Sequence, residues 1–308
     1  MRVLLFVNNW VGWRASAWMR QRGDNIVGLV VHPPERRKYY EEIIQSTAVD
    51  PSCVFDGSRL RETETLERLR ALRPDLGVSI FFGYILTREC LDIFPKGCVN
   101  IHPAYLPWNR GADPSIWSIV EGTPAGATVH YLDEGVDTGD IIAQKKISIS
   151  TEDTRESLLR NLEEIGRDLL LDTVPLWVKR TIVATLQDNA LATLCQLIER
   201  EDGHIIWTDE AENIYNRYRA LSPWPGIFSF WKKDDGLLRL KLHHITYQKH
   251  SPQIHHPVGQ VFEVGEKIGV QTGSGVVFLE EVQLEGKTRM PIAEFLLGNK
   301  DIIGSFLQ

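Results

Sequence analysis

The segment VNIHP, residues 99–103, joins two apolar and two polar residues and ends at a proline. In a β-strand, alternate side chains face the same side, so Asn100 and His102 share one face. Pro103 has no backbone donor and marks the point where the strand leaves its sheet. Because open α/β sheets bind their ligands where strands end, this pair forms a candidate reactive site.

A second polar cluster lies in the segment LDEGVDTGD, residues 132–140, between two predicted strands. Four acidic residues crowd this loop: Asp133, Glu134, Asp137 and Asp140. Asp and Gly favour turns, so a solvent-exposed acidic turn is one interpretation. The tripeptide D-T-G also suggests an aspartic protease, but that chemistry needs two carboxylates sharing one proton, usually from two such segments. Only one is present here.

The two clusters together indicate a specific chemistry. An asparagine amide is a neutral donor for a developing oxyanion, a histidine accepts a proton near neutral pH, and a carboxylate orients or charges that histidine. This set suits acyl transfer to an amine without a covalent enzyme intermediate. The sequence has no G-x-S-x-G segment and no reactive-cysteine signature, so the substrate must supply the nucleophile.

The elements that position these residues follow from the apolar pattern. Short β-forming runs alternate with helical stretches, which predicts a Rossmann-like, mostly parallel sheet and an α/β fold. The runs cover residues 2–7, 26–32, 75–82, 97–102, 126–133 and 141–149. We expect this catalytic domain to span residues 1–185, followed by a connector over 186–206 with a helix near 188–200. Short strands and Gly turns then predict a smaller OB-like β-barrel domain over residues 207–308.

Composition narrows the function classes. The 308 residues are 43% hydrophobic and 24% charged, which excludes disordered and fibrous classes. No apolar run approaches the ~18 residues of a membrane span, so we expect a soluble cytoplasmic protein with no membrane partner. The net charge of -7 disfavours a protein whose main task is to bind a polyanion.

Several cofactor motifs are missing. The turn after the first strand carries a single glycine, Gly12, so a dinucleotide fingerprint is absent, as is a phosphate-binding G-x-x-x-x-G-K-[ST] loop. The four cysteines are scattered and predict free thiols rather than a zinc site. Five histidines lie between His243 and His256, without the spacing that zinc sites use, so we predict no metal.

The motif N-I-H-P-x-x-L-P, followed by V-D-T-G-D, resembles the folate-dependent formyltransferases, which include glycinamide ribonucleotide, methionyl-tRNA and amino-sugar formyltransferases. The resemblance covers the whole chain, since the segments WTDEAENIYNRYRALSPWPG and VFLEEVQLEGKTRM are similar to the smaller C-terminal domain of the tRNA and sugar enzymes. It implies N10-formyltetrahydrofolate as co-substrate and catalytic roles for Asn100, His102 and Asp137. Which group is the formal base stays open.

The resemblance also implies binding residues. The pterin of the donor would lie against backbone of the segment FGYIL and of the loop around residues 136–140. The residues concerned are Phe82, Tyr84, Ile85, Leu86, Val136 and Asp140. The acceptor would contact Asn9, Trp10, Tyr105, Asn109 and Arg110. For Trp10, as for Trp13, packing in the core is the alternative.

The loop AYLPWNRGADP after the histidine is similar to that of sugar-nucleotide N-formyltransferases. We therefore expect formylation of a dTDP- or UDP-linked amino-deoxysugar, with methionyl-tRNA formylation as the alternative. From residue 203 onward the chain has 11 Lys and Arg against 12 Asp and Glu, and the stretch HPPERRKYYEEI is locally neutral. Because phosphate contacts dominate nucleic-acid affinity, this charge balance argues against a nucleic-acid partner. The family's habit suggests a homodimer.

Two further classes stay open: a non-catalytic binder of folate or nucleotide sugar, and a metal-dependent hydrolase that uses the histidine-rich segment. A non-catalytic binder would keep its function in His102→Ala. A metal-dependent hydrolase would contain stoichiometric metal by elemental analysis.

Overall fold

The computed structural model describes residues 1–179, 181–233, 236–249 and 256–308. These residues form two compact units. The first comprises residues 1–114, 123–149 and 157–196, and the second comprises residues 115–122, 150–156 and 197–308.

The first unit is built on a seven-stranded sheet with the order β3-β2-β1-β4-β5-β7-β8. Its strands are β1 Arg2–Val7, β2 Asn25–Val31, β3 Val54–Asp56, β4 Leu76–Ile80, β5 Cys98–His102, β7 Ala125–Tyr131 and β8 Ile141–Ile147; β6 Arg110–Gly111 and β9 Leu194–Cys195 form a separate parallel pair. Strands β1 to β5 pair in parallel, whereas β7 pairs antiparallel with both β5 and β8. The mostly parallel, Rossmann-like sheet is confirmed.

Helices cover both faces of this sheet. Among the described residues of both units, the α-helices are α1 Asn9–Gln21, α2 Tyr40–Thr47, α3 Thr63–Ala71, α4 Arg88–Leu91, α5 Pro114–Glu121, α6 Arg155–Lys179, α7 Ala211–Leu221 and α8 Ile292–Gly298. Alternate residues of β1 enter two different hydrophobic clusters: Leu5 packs with residues of α1 and α6, and Phe6 packs with residues of α3. A parallel strand that is buried on both faces has a continuous run of apolar residues, which explains why β1 has the sequence RVLLFV.

One face of strand β5 packs against helix α6. Its apolar residues Val99 and Ile101 lie in the cluster that includes α6 residues. Helix α6 approaches closely at Gly166, where an added Cβ would lie 2.7 Å from Cγ2 of Ile101. The alternation of the strand therefore turns Asn100 and His102 to the opposite face, as predicted.

The second unit contains an antiparallel sheet with the order β10-β11-β14-β13-β12. Its strands are β10 Ile227–Lys233, β11 Gly236–Gln248, β12 Val261–Val264, β13 Lys267–Gln271, β14 Val276–Leu284 and β15 Met290–Pro291, of which β15 pairs with β14. Residues 305–308 bond to both edge strands: Phe230 and Gln308 exchange backbone hydrogen bonds of 2.8 Å, and Val261 N–H donates to Ser305 O at 2.9 Å. The sheet therefore curls into the predicted barrel-like form.

The helix predicted near residues 188–200 is wrong. This stretch contains the 3₁₀ turn Asn189–Leu191 and the short strand β9, and a second 3₁₀ turn, Glu201–Gly203, follows it. Instead, its backbone forms hydrogen bonds with the segment around β6, where Arg110 N–H donates to Thr193 O at 3.0 Å. Strand partners elsewhere in the chain outweigh the local helical spacing of its leucines. Residues 186–196 belong to the first unit.

Among the described helices, none combines the length and the apolar character that a membrane crossing requires.

Candidate active site

Three neighbouring strands place polar side chains in one row across the first sheet. Ser79 on β4 is the register partner of Asn100 on β5, and Asn100 is the partner of His130 on β7. Directly opposed residues of paired strands share a face and interact. Ser79 Oγ donates to Asn100 Oδ1 at 2.8 Å, and Asn100 Nδ2 lies 3.3 Å from His130 Nε2. This row fixes which end of the Asn100 amide is the donor.

The hydrogen bonds of His130 define its neutral tautomer. Its Nδ1 lies 2.8 Å from Tyr131 O, and a carbonyl only accepts, so Nδ1 carries the proton. In that form Nε2 is an acceptor for one N–H of Asn100 Nδ2. The second N–H of the same amide is left to donate elsewhere, which is what an oxyanion at this position would need.

His102 is held in the same way. It is 5% exposed, and its Nε2 donates to the carbonyl oxygen of Asn109 at 2.9 Å. Its Nδ1 therefore bears the lone pair in the neutral ring and faces Asp137 Oδ2 at 3.5 Å. The second carboxylate oxygen of Asp137 lies 3.5 Å from His130 Nε2. The structure thus brings together the three residues predicted to be catalytic.

Asp137 is ionised at neutral pH. Burial raises the pKa of its carboxyl, but the positive charge that His102 and His130 carry when protonated, together with the Gly111 N–H, which donates at 2.9 Å, outweighs this effect and holds that pKa well below its usual range. The residue adopts a left-handed backbone with φ 53°, which is rare outside glycine. A strained residue next to reacting groups is typical of an active site.

The loop that carries Asp137 is fixed at several points. Asp133 Oδ1 accepts from Gly135 N–H at 3.0 Å and from Thr138 Oγ at 2.5 Å, so this carboxylate shapes the turn. At Gly139 an added Cβ would lie 1.9 Å from the carbonyl oxygen of Tyr131. Only a glycine permits this approach of loop and strand. The loop is therefore more than a solvent-exposed acidic turn.

Gln187 joins the Asp137 loop to Arg110. Its Nε2 donates to Asp137 O at 2.8 Å and to Gly139 O at 2.7 Å. Its Oε1 accepts from Arg110 Nη2 at 2.8 Å, and the same guanidinium donates to Asn189 Oδ1 at 2.8 Å. Arg110 is 5% exposed, and its guanidinium donates to the side chains of Gln187 and Asn189.

Asn109 is fully buried and also bonds within the protein. Its Nδ2 donates to Thr123 Oγ at 2.7 Å, and its backbone N–H donates to Thr193 Oγ at 2.8 Å. Its left-handed backbone, φ 59°, turns the carbonyl oxygen towards His102. The geometry gives Asn109 and Arg110 positioning roles, and their predicted contact with the acceptor stays a prediction.

The other three predicted acceptor contacts are half-buried. Asn9 Oδ1 accepts from the N–H groups of Val11 and Gly12 at 3.0 and 3.2 Å, so this oxygen caps α1. Trp10 is half-buried against the core. Tyr105 stacks on Trp108 with ring centres 5.9 Å apart. Their contact with an acceptor stays a prediction.

The segment predicted to hold the pterin follows β4. Phe82 and Leu86 are buried, Tyr84 is half-buried, and Ile85 is 63% exposed. Strands β1 and β4 are neighbours whose crossovers run in opposite directions, and such a switch point is where open sheets bind ligands. Phe81, the first residue after β4, has a left-handed backbone with φ 51°.

His32 supports this segment. Its ring lies 5.1 Å from the rings of both Phe82 and Tyr84, edge to face, and Gly83 N–H points to its Nε2 at 3.4 Å. Burial, followed by the charge of Arg36, lowers the pKa of His32. The ring therefore acts as a neutral acceptor beside the segment.

The second segment predicted to contact the pterin presents one apolar side chain. Val136 is 46% exposed, and the Asp140 carbonyl oxygen accepts from Tyr131 N–H at 3.0 Å. Exposed Ile85 and Val136 provide apolar surface that a flat heterocycle could cover. The binding roles assigned to both segments stay predictions.

Sequence reasoning missed three of these residues. Ser79 and His130 lie inside apolar strands. A polar residue in a strand that is otherwise wholly buried indicates a functional position, and this pattern could have identified both residues. Gln187 lay in the predicted connector, and no local pattern marks it.

A metal site finds no support in the described ranges, where no cluster of three His, Cys, Asp or Glu residues could hold an ion. His243 Nε2 pairs with Gln283 Oε1 at 2.8 Å, and His256 stacks on Phe262 with centres 4.0 Å apart. His250 and His255, which belong to the same five histidines, lie outside the described residues.

Comparison with known proteins gives the family. The Formyl transferase family model matches residues 19–174, and the model of the Formyl transferase C-terminal domain matches residues 197–300. The chain is 34% identical over 285 residues to the methionyl-tRNA formyltransferase of Geobacter sulfurreducens, covering 90% of this chain and 87% of that protein. It is 36% identical over 293 residues to the methionyl-tRNA formyltransferase of Geotalea uraniireducens, covering 93% and 91%.

Solved structures agree on the fold. The N-formyltransferase from Helicobacter canadensis, solved with folinic acid and dTDP-3-aminofucose, superimposes with a TM-score of 0.66 at 18% identity, covering 90% of this chain and 98% of that chain. At this identity the likeness supports the fold alone.

The expectation of an amino-sugar acceptor is therefore wrong. It rested on the loop after His102 and on a charge balance that argued against tRNA, whereas the relatives that share a third of all residues along most of the chain are methionyl-tRNA formyltransferases. The domain matches and these relatives, together with the Asn100, His102 and Asp137 geometry, show that the chain belongs to the formyl transferase family.

Proposed function

We propose that this enzyme transfers the formyl group of N10-formyltetrahydrofolate to the amino group of methionyl-tRNA. The similarity to methionyl-tRNA formyltransferases along nine-tenths of the chain carries the choice of acceptor. The arrangement of Asn100, His102 and Asp137 supports the choice of reaction, because it supplies an oxyanion donor and a proton acceptor but no protein nucleophile.

The reaction begins with attack of the acceptor amine on the formyl carbon. The carbonyl oxygen becomes an oxyanion, and the free N–H of Asn100 Nδ2 donates to it. The bond from carbon to N10 of the folate then breaks and N10 takes up a proton, so that N-formylmethionyl-tRNA and tetrahydrofolate leave. Because Ser79 and His130 fix the amide, the donor needs no reorientation as charge develops.

His102 and Asp137 manage the proton of the attacking amine. The lone pair of His102 Nδ1 accepts it, and the ionised Asp137 at 3.5 Å stabilises the resulting imidazolium. The Nε2–H bond to Asn109 O keeps the ring in this orientation. The donor would lie along the segment after β4, with its heterocycle against Ile85 and Val136.

A tRNA partner overturns the expectation that nucleic acid is excluded. That expectation counted charge over residues 203–308 and over the stretch HPPERRKYYEEI, where the balance is close to neutral. Phosphate contacts depend on where a few cations lie on the surface rather than on the net charge.

The test is a formylation assay with the purified chain, N10-formyltetrahydrofolate and methionyl-tRNA, with product tRNA and tetrahydrofolate measured together. Deacylated tRNA should give no product, and the variant Asn100→Asp should form product about 10²- to 10³-fold more slowly. The KM for tRNA should rise steeply with added salt, because counterions are released when phosphates are bound. A folded protein that leaves methionyl-tRNA unmodified would refute the proposal.

A further inference from the structure

Three segments that follow neighbouring strands meet at the ring of His32. Asn8 follows β1, His32 follows β2, and Gly83 is the third residue after β4. Asn8 Nδ2 lies 3.2 Å from His32 Nδ1, and Gly83 N lies 3.4 Å from His32 Nε2. These strands run parallel to β5, so the contact lies at the edge of the sheet where β5 places His102. The reaction described above assigns no role to it.

Both contacts bring a donor to a ring that has one acceptor. A neutral imidazole accepts a hydrogen bond at one nitrogen and donates at the other. His32 is neutral near neutral pH, because burial and then the charge of Arg36 lower its pKa. Only one of the two neighbours, Asn8 or Gly83, can therefore donate to this ring.

The orientation of the Asn8 amide decides which neighbour donates. Asn8 is 9% exposed, and its Oδ1 accepts from Lys38 N–H at 2.8 Å. A reversed amide would place two donors at this distance, so the oxygen must face Lys38 and Nδ2 must face His32. Asn8 Nδ2 also donates to Arg36 O at 3.4 Å, in agreement with this orientation. His32 Nδ1 therefore accepts, and His32 Nε2 carries the ring proton.

The proton on His32 Nε2 makes this nitrogen a donor that faces a second donor, Gly83 N–H. Among the described residues, neither group has a further hydrogen-bond partner. Gly83 is exposed, so a ligand can reach both groups from solvent. One oxygen atom beside the two nitrogens can accept from both, as in an oxyanion hole. We name His32 Nε2–H and Gly83 N–H the donor pair.

Packing holds the donor pair in place. The ring of His32 lies 5.1 Å from the rings of Phe82 and Tyr84, with planes inclined by 75° to each. Phe82 is buried and packs against Gly57, where an added Cβ would lie 2.6 Å from Phe82 Cζ. Because these contacts fix both the ring and the segment that carries Gly83, the two N–H groups need no reorientation to bind a ligand.

The charges near the donor pair favour a neutral acceptor. Besides burial, Arg36 and Lys38 lower the pKa of His32, whereas the carboxylate of Asp56 raises it, so charges of both signs lie near the ring. An anion would be attracted by the two cations but repelled by Asp56. A carbonyl oxygen is uncharged and accepts two hydrogen bonds, which matches the two N–H donors.

We propose that the donor pair binds a carbonyl oxygen of a substrate of the formyl transfer. Both substrates of the proposed reaction carry such an oxygen, the folate donor in its heterocycle and the acceptor in its methionyl ester. This deepens the proposed function and depends on it for the identity of the acceptor. His32 is then a binding residue that touches substrate, in addition to Asn100, His102 and Asp137.

NMR of protein labelled with ¹⁵N in histidine tests the donor pair without any turnover. Long-range correlations between ring protons and ring nitrogens show which nitrogen carries the proton, and the signals missing in His32→Phe identify His32. We expect a protonated Nε2 and an unprotonated Nδ1 at neutral pH. The opposite tautomer would make Nε2 an acceptor for Gly83 and would refute the donor pair.

Kinetics identify the substrate that supplies the oxygen. His32→Phe keeps a ring against Phe82 and Tyr84 but removes the N–H, so it should raise one KM by about 3- to 10-fold, the effect of one neutral hydrogen bond. A higher KM for the folate donor assigns the oxygen to the donor, and a higher KM for methionyl-tRNA assigns it to the acceptor. Because the hydrogen bond is present in the ground state and the transition state alike, kcat should stay unchanged.

His32→Gln and His204→Phe are the controls. The amide of Gln can accept from Asn8 and donate to the carbonyl oxygen, so His32→Gln should recover most of the lost affinity. His204→Phe changes a half-buried histidine of the second unit that also packs on aromatic rings, and it should leave both KM values unchanged. A loss in His32→Phe that His32→Gln does not recover would mean that His32 only packs and would refute the proposal.

Failure of this proposal and failure of the proposed function are distinguishable. Formylation with both KM values unaltered in His32→Phe would overturn the donor pair alone. If methionyl-tRNA is not modified, folinic acid, a stable relative of the donor, is added to the labelled protein. A shift of the His32 Nε2 signal would then refute the function and keep the donor pair, and the absence of a shift would refute both.

Discussion

The side-chain amide of Gln187 donates to the backbone carbonyl of Asp137 at 2.8 Å, although 50 positions separate the two residues. The same amide nitrogen reaches Gly139 O at 2.7 Å, and its oxygen accepts from Arg110. One half-buried side chain thus connects the loop of the carboxylate to the segment that follows His102. We therefore expect the distance between His102 and Asp137 to depend on this connection.

Gln187→Glu should lower kcat by about 10- to 100-fold, because a shift of about 1 Å in a catalytic group has effects of this size. The new carboxylate can still accept from Arg110 but cannot donate to the two carbonyl oxygens. Steady-state kinetics with both substrates measure the effect. Gln45→Glu, on the exposed side of α2, is the matched control and should be without effect.

Asn100→Asp should reduce kcat by about 10²- to 10³-fold, as loss of one oxyanion donor does. The shape of the side chain is kept, so the KM values should change little. Ser79→Ala, which leaves the amide in place but frees its orientation, should have a smaller effect. If kcat were retained in Asn100→Asp, the oxyanion role would be wrong.

His130→Ala should reduce both activity and stability. It removes the acceptor that holds the Asn100 amide and leaves a buried N–H without a partner, which costs about 1–3 kcal/mol in the free energy of unfolding. Urea unfolding and kinetics on the same samples measure the two losses. His204→Ala, in the second unit, changes a half-buried histidine and should lower kcat far less.

Asp137→Asn should abolish most activity at every pH and change how stability depends on pH. The native pKa of Asp137 lies below its ordinary value of 3.8, so its stabilising effect is complete above that pH and is lost as pH falls through the native pKa. The difference in the free energy of unfolding between wild type and Asp137→Asn should be constant above about pH 5 and shrink in stronger acid. A difference that grows in acid would contradict the assignment.

The sequence predicted those features that depend on local patterns. The alternation of VNIH placed Asn100 and His102 on one face, because side-chain direction in a strand has a period of two. Alternating strands and helices predicted the first sheet, and short strands with Gly turns predicted the curled second sheet. The helix near residues 188–200 failed because strand partners distant in sequence decide that segment.

What the sequence alone determined is the set of reactive groups, the strand that carries two of them and the fold class, since each depends on residue type and short-range spacing. Tertiary structure decided the rest. The register between β4, β5 and β7 lined up Ser79, Asn100 and His130, and Gln187 reached the Asp137 loop across 50 positions. Such contacts depend on how distant strands and loops pair, and no local pattern of residues encodes that pairing.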